Sequence, residues 1–524
     1  MRRIEASPNV ILITVDTLRA DRLGCYGNST IETPAMDSLA RDGVLFRRAV
    51  AQVPLTTPSH AAILTGTYPP WNGLRDWTDH GLRPGVPTLA EIFKRHGYST
   101  AAFVSAFVLD SMWGLNRGFD HYDDWFKAED YKTMRHLGLE RPGDETIDRA
   151  IAWLGSRPAG PFFLWLHLYD PHAPYNPPEP FRGRYRDRLY DGEVAYTDGE
   201  LARFLAFLKG RNLYDSSLLI LTSDHGEALG EHQEQEHGFF IYNSTVRVPL
   251  IVKFPAGYAP QQRSVASVVN TVDIAPTLVQ FCAFPSADLS TFQGQSLLGL
   301  VERGSASAAR YGYSESLYPG NFFGSHALFG VQTERYHYIR APKEELYDLE
   351  QDPQESRNIL SQKRSVAQAL REYLEGAVTR FKPTAGEPGQ GGVTDPETVE
   401  KLRSLGYVSL ARPRRPGGEF DRAAPDPKDT IGAYNRVMRA VELSGRGRFR
   451  QANTILADLA KQYPKDYLLP FLQGETHMQE GNARAARGYF RRALELNPTF
   501  DQAAVGLGRA AYRAEENAEA ANAH

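Results

Sequence analysis

Short apolar runs alternate with segments of helical pattern from the start of the chain to about residue 382. Several of the runs are apolar throughout, which is typical of strands that are buried on both faces. The predicted strands span residues 10–15, 100–104, 162–167, 218–221 and 248–253. Such alternation predicts an α/β fold in which helices cover both faces of a sheet.

The end of this region has a different pattern. Aromatic and β-branched residues are concentrated between positions 327 and 340, which predicts a small antiparallel subdomain. Residues 345–358, ELYDLEQDPQESRN, are interpreted as a turn that leads into a final helix. The α/β domain is therefore expected to cover residues 1–382.

A repeat follows a change in composition. Residues 383–430 are rich in proline, glycine and charge, which predicts a linker that contains a short helix. Beyond it, three residues recur 34 positions later, and the pairs are Gly447 and Gly481, Ala452 and Ala486, and Pro464 and Pro498. A helical period of about 34 residues is that of tetratricopeptide repeats. Residues 431–524 are therefore predicted to form an all-α tetratricopeptide segment.

Composition excludes several classes of protein. A chain of 524 residues is too long for one hydrophobic core, so at least two folded units are expected. The 59 basic and 63 acidic side chains give a net charge of −4, which argues against a nucleic-acid-binding protein. Two cysteines, Cys25 and Cys282, are too few for a disulfide framework or a multi-cysteine zinc site.

Targeting signals are not evident in the sequence. The early apolar run at residues 10–15 is far shorter than the roughly 18–20 residues of a membrane-spanning helix. It also lacks the small-residue cleavage site of a signal peptide. The sequence as it stands predicts a cytoplasmic protein without a membrane span, whereas a missing upstream signal would make it periplasmic or exported.

Acidic and histidine side chains follow three of the predicted strands. Asp16 ends the first strand, and Asp224 and His225 follow the run LLILTS. The third strand leads into His167, Asp170 and His172. Ligands bind beyond the carboxyl ends of strands in open α/β sheets, so these side chains are expected to converge on a metal or phosphate site.

A predicted helix start supplies another polar group. In PLTTPSHAAILTG, residues 54–66, Pro58 suits the first turn of a helix and Gly66 suits its end. Thr56 and Thr57 then lie at the helix N-terminus, where free N–H groups and the helix dipole favour an oxyanion.

With these features the chain resembles the sulfatase family of the alkaline phosphatase superfamily over about residues 8–358. The matching segments, in the order of the family, are VDTLRADRLGCYG (15–27), TTPSHAAILTGTYP (56–69), DPHAPYNPP (170–178), SDHGEALGEH (223–232), RVPLIV (247–252) and LYDLEQDPQE (346–355). The resemblance implies a hydrolase with one or more divalent metals at the strand ends.

The chain departs from the family at the nucleophile. Sulfatases have Cys or Ser where this chain has Thr56, and they convert that residue to formylglycine. Threonine does not undergo this conversion, because the methyl group on its β-carbon would give a ketone. His60 replaces the arginine of the motif and is expected to be a polar residue beside the nucleophile.

The metal ligands also differ. Thr17 stands where many sulfatases have a second aspartate, and His225 stands where they often have asparagine. The resemblance implies a ligand set of Asp16, Thr56, Asp224 and His225, which is similar to phosphodiesterase and phosphoglycerol-transferase branches with a threonine nucleophile. Imidazole suits Zn²⁺ or Mn²⁺ better than Ca²⁺, so we expect one of these metals.

Other histidines align with functional positions of the family. Thr56 is predicted as the nucleophile, and His172 and His237 as further catalytic residues on the substrate side. A second metal bound by Asp170, His172 and His237 is less favoured. The step from the aspartate to the first histidine is two positions here, whereas the two-metal enzymes of the superfamily usually have four. His167 and His232 are expected to be structural.

Three functions are compatible with these residues. The favoured one is a metal-dependent hydrolase or transferase that cleaves phosphoric mono- or diesters. The alternatives are a sulfuric ester hydrolase that does not use formylglycine, and a non-catalytic scaffold that binds proteins through its repeats. In all three, the tetratricopeptide segment is expected either to bind a protein partner in its concave groove or to pack on the catalytic domain. Loops at residues 76–85 and 119–142 are candidates for the entrance of the site.

Overall fold

The computed structural model describes residues 7–76, 81–126, 140–157, 159–304, 309–383 and 423–523. Within these ranges the chain divides into two units. The first contains both β-sheets, and the second contains residues 319–326 together with the C-terminal helices. Most of the predicted linker, residues 384–422 with its short helix, lies outside the described residues.

The main sheet has eight strands in the order β4-β3-β5-β1-β6-β7-β2-β8. Its strands are β1 Asn9–Val15, β2 Val44–Val50, β3 Ser99–Phe103, β4 His121–Asp123, β5 Phe162–Leu168, β6 Ser217–Thr222, β7 Arg247–Lys253 and β8 Ser264–Asn270. β1 is parallel to its neighbours β5 and β6, whereas β7 runs antiparallel to β6 and β2. The five predicted strands are confirmed within one residue or two at each end.

Helices surround this sheet. In the first unit they are α1 Pro34–Asp42, α2 Thr56–Thr65, α3 Pro69–Asn72, α4 Leu89–Arg95, α5 Gly143–Ser156, α6 Phe181–Arg184, α7 Leu189–Gly210, α8 Leu213–Ser216, α9 Asn243–Val246, α10 Ile274–Phe281, α11 Ser286–Leu289, α12 Leu298–Arg303 and α13 Arg364–Arg380. Ile11 and Ile13 of β1 share a buried core with α1, α5 and α7. Phe93 of α4 stacks on Phe163 of β5, at 4.7 Å between ring centroids, on the other face. Helices thus cover both faces, as predicted.

A second sheet of four antiparallel strands has the order β12-β11-β10-β9. Its strands are β9 Gly312–Ser316, β10 Leu328–Gln332, β11 Tyr336–Arg340 and β12 Glu345–Asp348. The antiparallel subdomain is therefore confirmed. The interpretation of residues 345–358 as a turn was wrong for the first four residues, because Leu346 pairs with Tyr338 and becomes fully buried.

The second unit is helical. Its helices are α14 Pro427–Gly445, α15 Phe449–Gln462, α16 Leu468–Gln479, α17 Ala483–Leu496 and α18 Asp501–Ala523. Gly447 and Gly481 both have positive φ and precede α15 and α17, and Ala452 and Ala486 are fully buried inside those helices. The 34-residue spacing therefore marks two structurally equivalent hairpins. Among the described residues, we find no helix with the length and apolarity that crossing a bilayer requires.

Candidate active site

Asp16 lies at the carboxyl end of the central strand. β1 runs between β5 and β6, and the Asp16 N–H continues the ladder by donating to the Leu168 carbonyl at 2.8 Å. The side chain is fully buried. Its position follows from the sequence, since an apolar run that ends in an acid delivers that acid to the edge of the sheet where ligands bind.

Asp224 and His225 enter the same space from the end of β6. Both are fully buried. The Thr17 N–H donates to Asp224 Oδ1 at 3.3 Å, so the loops after β1 and β6 are joined. His225 Nδ1 donates to the Gly226 carbonyl at 2.9 Å, which directs its other ring nitrogen, Nε2, to the opposite side. The two neighbouring strands thus place their terminal side chains together.

Thr56 is the first residue of α2, and it is buried. Its hydroxyl oxygen lies 3.3 Å from His225 Nε2. The start of the helix is anchored by Ser59, whose hydroxyl donates to the Asp224 carbonyl at 2.6 Å, and by Thr57, whose hydroxyl donates to the Val108 carbonyl. The hydroxyl of Thr56 is therefore held beside the ends of β1 and β6.

The arrangement suits a cation. One ligand atom from each of Asp16, Asp224 and His225 lies within 4.8 Å of the other two. Asp16 Oδ1 and Asp224 Oδ2 are buried, and neither has a hydrogen-bond partner in the structure. Burial raises the pKa of both carboxyl groups well above their ordinary value, and it lowers the pKa of His225 to about 4. A divalent ion would favour the two carboxylates and the neutral imidazole at once.

His60 holds the backbone of Thr56, the predicted nucleophile. It is fully buried on α2, and burial keeps its pKa well below the ordinary value, so the ring is neutral. Its Nδ1 donates to the Thr56 carbonyl at 2.8 Å, and its Nε2 accepts from the Thr14 hydroxyl at 3.0 Å. Trp165 Nε1 in turn donates to Thr14 at 3.0 Å. This chain of hydrogen bonds fixes both the tautomer of His60 and the backbone of Thr56.

Replacing Thr14 with Val tests this hydrogen-bond chain. The variant deprives Trp165 Nε1 and His60 Nε2 of their partner, and each such buried group costs about 1–3 kcal/mol. We expect a loss of about 2–6 kcal/mol in the free energy of unfolding, measured with urea, together with slower turnover. The control is Thr222→Val on the adjacent strand, whose buried hydroxyl donates to the Pro249 carbonyl. Equal losses of stability and of turnover in the two variants would contradict a role for this chain of hydrogen bonds.

The structure corrects the expectation for His167. Its Nε2 lies 3.3 Å from Asp16 Oδ2, and its Nδ1 accepts from the Ser105 N–H at 3.2 Å. The residue is fully buried. With Nδ1 as acceptor, Nε2 carries the proton and donates to Asp16, so His167 orients a predicted metal ligand rather than serving only the core. His232 stacks on Tyr242, at 3.5 Å between ring centroids, as a structural residue would.

His172 and His237 lie next to the cluster. The His237 ring is 4.4 Å from the His225 ring and 4.9 Å from the His172 ring, measured between centroids. Within the described part of the chain, Asp170 does not form a ligand cluster with these two histidines, and its Oδ1 accepts from the Gly143 N–H at 2.9 Å. Among the described residues, three metal-ligating groups converge only at Asp16, Asp224 and His225. The second metal site with Asp170 as ligand is therefore not formed.

Sequence analysis missed Glu227. This carboxylate is fully buried, and its Oε1 accepts from His237 Nδ1 at 2.8 Å. Its position two residues after His225 is the one feature of the sequence that indicates a place near the site. A glutamate in a loop is otherwise expected to be exposed to solvent. The contact with His237 depends on how the loop folds back.

Three protein families match the chain. A family described as sulfatase matches residues 8–282, which is more than half of the chain. A second, described as N-sulphoglucosamine sulphohydrolase, C-terminal, matches residues 230–380. Tetratricopeptide repeats match residues 437–499 and 471–524.

Individual proteins agree with these families. The chain is similar to an arylsulfatase of Clostridium perfringens, at 25% identity over 68% of this chain and 90% of the relative. An ulvan-active sulfatase of Formosa agariphila is also 25% identical, over 67% of this chain and 77% of the relative. A solved phosphonate monoester hydrolase of Agrobacterium radiobacter shares the fold, with a TM-score of 0.61 and 21% identity over 74% of this chain and 99% of that chain.

The extent of the family match, the strand order and the convergence of Asp16, Asp224 and His225 point to one conclusion. The chain belongs to the sulfatase family of the alkaline phosphatase superfamily, is a hydrolase of ester bonds, and carries tetratricopeptide repeats in its C-terminal part.

Proposed function

We propose that this enzyme hydrolyses phosphoric mono- or diesters with Thr56 as the nucleophile. The observation that carries the proposal is the Thr56 hydroxyl at the N-terminus of α2, 3.3 Å from His225 Nε2 and beside the two buried aspartates. A threonine at this position does not form formylglycine, so its own hydroxyl is the group available for attack.

The donor set favours a divalent transition metal. Two carboxylate oxygens, one imidazole nitrogen and the Thr56 hydroxyl suit Zn²⁺ or Mn²⁺ better than Ca²⁺, which prefers oxygen ligands alone. When bound, such an ion would stabilise the alkoxide of Thr56 and the negative charge of the ester. Asp16, Asp224 and His225 would hold it.

Residues of the chain then take separate roles in the reaction. Thr56 Oγ1, after losing its proton to solvent, forms a bond to phosphorus while the bond from phosphorus to the leaving oxygen breaks. The positive end of the α2 dipole balances the charge on the phosphoryl oxygens. His172 and His237 are predicted to face the leaving oxygen, which takes up a proton from solvent as it departs. Water, or an acceptor alcohol in a transferase, then attacks phosphorus and releases Thr56.

A sulfate-ester substrate is the second candidate. It is supported by the relatives, since the arylsulfatase and the ulvan-active sulfatase are named for sulfate esters. The structural neighbours include proteins described as phosphonate monoester hydrolases, so proteins of this fold include both sulfatases and phosphonate hydrolases. Catalysis without formylglycine would then use the same Thr56 hydroxyl or a water molecule.

A panel of 4-nitrophenyl esters separates these candidates. The phosphate monoester, the methyl phosphodiester, the phenylphosphonate and the sulfate are assayed side by side with enzyme loaded with Zn²⁺ or Mn²⁺. We expect kcat/KM for one of the phosphorus esters to exceed that for the sulfate by about tenfold or more, which is about 1.4 kcal/mol of transition-state free energy. A preference for sulfate of that size would overturn the proposal.

The hypothesis of a non-catalytic scaffold has less support than either enzymatic function. Buried carboxylates without partners are costly, and a site with no ion or substrate to bind has no reason to retain Asp16 and Asp224 together. The repeats are compatible with both views, since tetratricopeptide segments bind proteins. We propose that they hold a protein partner while the first unit catalyses.

A further inference from the structure

The orientation of the Asp224 carboxylate depends on the backbone of the loop after β1. Asp224 Oδ2, like Asp16 Oδ1, is buried without a hydrogen-bond partner in the structure. The other oxygen of Asp224, Oδ1, accepts from the Thr17 N–H at 3.3 Å. The position of this N–H therefore determines which oxygen of Asp224 is left for a cation and where that oxygen points.

Thr17 has an unusual backbone conformation. Its φ is +54°, in the left-handed region, which β-branched residues rarely adopt because Cβ crowds the following carbonyl oxygen. Such a residue persists only where the surrounding structure holds it, and such residues are concentrated at functional sites. Relaxation to negative φ would redirect the chain and displace the N–H from Asp224. The loop therefore needs groups that keep Thr17 left-handed.

Tyr190 holds this loop from a separate helix. It lies in the first turn of α7, and its side chain is buried. Its hydroxyl donates to the Thr17 carbonyl at 2.7 Å and accepts from the Arg19 N–H at 3.1 Å. One hydroxyl thus bridges the main chain on both sides of Leu18.

Ser223 holds the same loop from the end of β6. Its hydroxyl accepts from the Leu18 N–H at 3.0 Å and donates to the His225 carbonyl. Ser223 precedes two of the predicted metal ligands, so replacing it would disturb them directly. Tyr190 lies on another element, and its hydroxyl can be removed without altering the loop that carries the ligands.

We propose that Tyr190 is a positioning residue, which keeps Thr17 in the left-handed conformation and so orients the Asp224 carboxylate for a divalent cation. The proposal rests on the metal site of the proposed function and deepens it by naming a residue that sets metal affinity. Tyr190 acts through the main chain of Thr17 rather than as a ligand. Loss of a group that orients a metal ligand typically weakens metal binding about 10- to 100-fold.

Metal affinity tests this role. Tyr190→Phe removes only the hydroxyl, and its Kd is compared with that of the parent protein by titration calorimetry. Mn²⁺ is titrated directly, and Zn²⁺ is titrated in competition with a chelator. We expect the Kd for each ion to rise about tenfold or more in Tyr190→Phe. An unchanged Kd would overturn the proposal.

Tyr26→Phe is the matched control for a merely structural effect. The Tyr26 hydroxyl also bridges two strands of main chain, since it donates to the Phe46 carbonyl at 2.7 Å and accepts from the Leu250 N–H at 2.9 Å. Both variants should lower the urea midpoint of the metal-free protein. Tyr26→Phe should keep the Kd within about twofold of the parent value. An equal rise of Kd in the two variants would overturn the proposal.

Glycine at position 17 provides a second test. Glycine adopts positive φ without steric strain, so it depends less on the Tyr190 hydroxyl to stay left-handed. In a Thr17→Gly background, Tyr190→Phe should therefore raise the Kd less than about threefold. A rise as large as in the threonine protein would overturn the proposal, because Tyr190 would then not act through the conformation of Thr17.

These measurements are independent of the proposed nucleophile, since metal binding needs no turnover. If Thr56→Ala is inactive and Tyr190→Phe binds both ions as tightly as the parent, the proposed function stands and the role of Tyr190 fails. If Thr56→Ala keeps its activity and Tyr190→Phe binds the ions more weakly, the proposed nucleophile fails and the role of Tyr190 stands.

Discussion

Replacing Thr56, the proposed nucleophile, with Ala is expected to lower kcat by about 10³-fold or more, because removal of a nucleophile leaves only binding and electrostatic contributions. Thr56→Ser keeps the hydroxyl at the start of α2 and is expected to stay within about tenfold of the parent enzyme. The measurement is steady-state hydrolysis of the preferred 4-nitrophenyl ester. Both variants leave Asp16, Asp224 and His225 intact, so bound metal is measured alongside and should remain detectable in both.

A covalent intermediate is the direct sign of this nucleophile. Enzyme quenched in acid during turnover should carry a phosphoryl group on the peptide that contains Thr56, and the modification should be absent from Thr56→Ala. Full activity of Thr56→Ala would show that another group, such as a water molecule, attacks the ester. The sulfate alternative would then regain weight.

Replacing Asp224 with Asn has the second large expected effect. The variant keeps the size of the side chain but removes a charge that faces Asp16 and His225, so metal binding should be lost and kcat should fall about 10³-fold or more. Metal content by elemental analysis and turnover by the same assay give the two results. Asp170→Asn is the control. Asp170 accepts a hydrogen bond from the Gly143 N–H, so this variant should retain metal.

The same variant has an opposite effect on stability without metal. Burial raises the pKa of Asp16 and Asp224, and the charge of Asp16 raises the pKa of Asp224 further, so neutral Asn removes the cost of a buried charge in the metal-free protein. We expect metal-free Asp224→Asn to be at least as stable as metal-free parent. Added Zn²⁺ or Mn²⁺ should raise the Tm of the parent only. A Tm increase of equal size in the variant would contradict Asp224 as a ligand.

Metal affinity should also depend on pH. The pKa of each aspartate is raised, so protons bind these carboxyl groups more readily than in a free aspartate and compete with the cation. The apparent affinity should therefore fall as the pH is lowered, because the ligands must lose their protons before the metal binds.

Local patterns predicted the strands that carry the site. The apolar runs before Asp16 and Asp224 are buried on both faces. Such strands can be predicted from their own residues, without knowing which strands pair with them. Three strands of the main sheet were not predicted. β2 is interrupted by Arg47 and Arg48, β4 has three residues, and the start of β8 is exposed. In these cases pairing with a neighbour, rather than apolar pattern, forms the strand.

The predicted ligand positions were accessible from the sequence because each belongs to the end of an element. Asp16 follows a strand, Asp224 and His225 follow another, and Thr56 begins a helix. Parallel strands bring their carboxyl ends to one edge, so convergence follows once the fold is known. Residues within loops carry no such constraint. Glu227, which pairs with His237, and Asp170, which turns to Gly143 instead of His172, were therefore decided by loop folding.

The amino-acid order by itself determined the α/β class, the 34-residue helical repeat and the positions of Asp16, Thr56, Asp224 and His225 at the ends of elements, since periodicity and element ends are local properties. Only the tertiary structure decided that His167 contacts Asp16, that His60 joins Thr14 to the backbone of Thr56, and that Glu227 holds His237. These contacts link residues on separate elements or across a folded loop. Their geometry exists only after the strands have aligned in register and the loops have closed over the edge of the sheet.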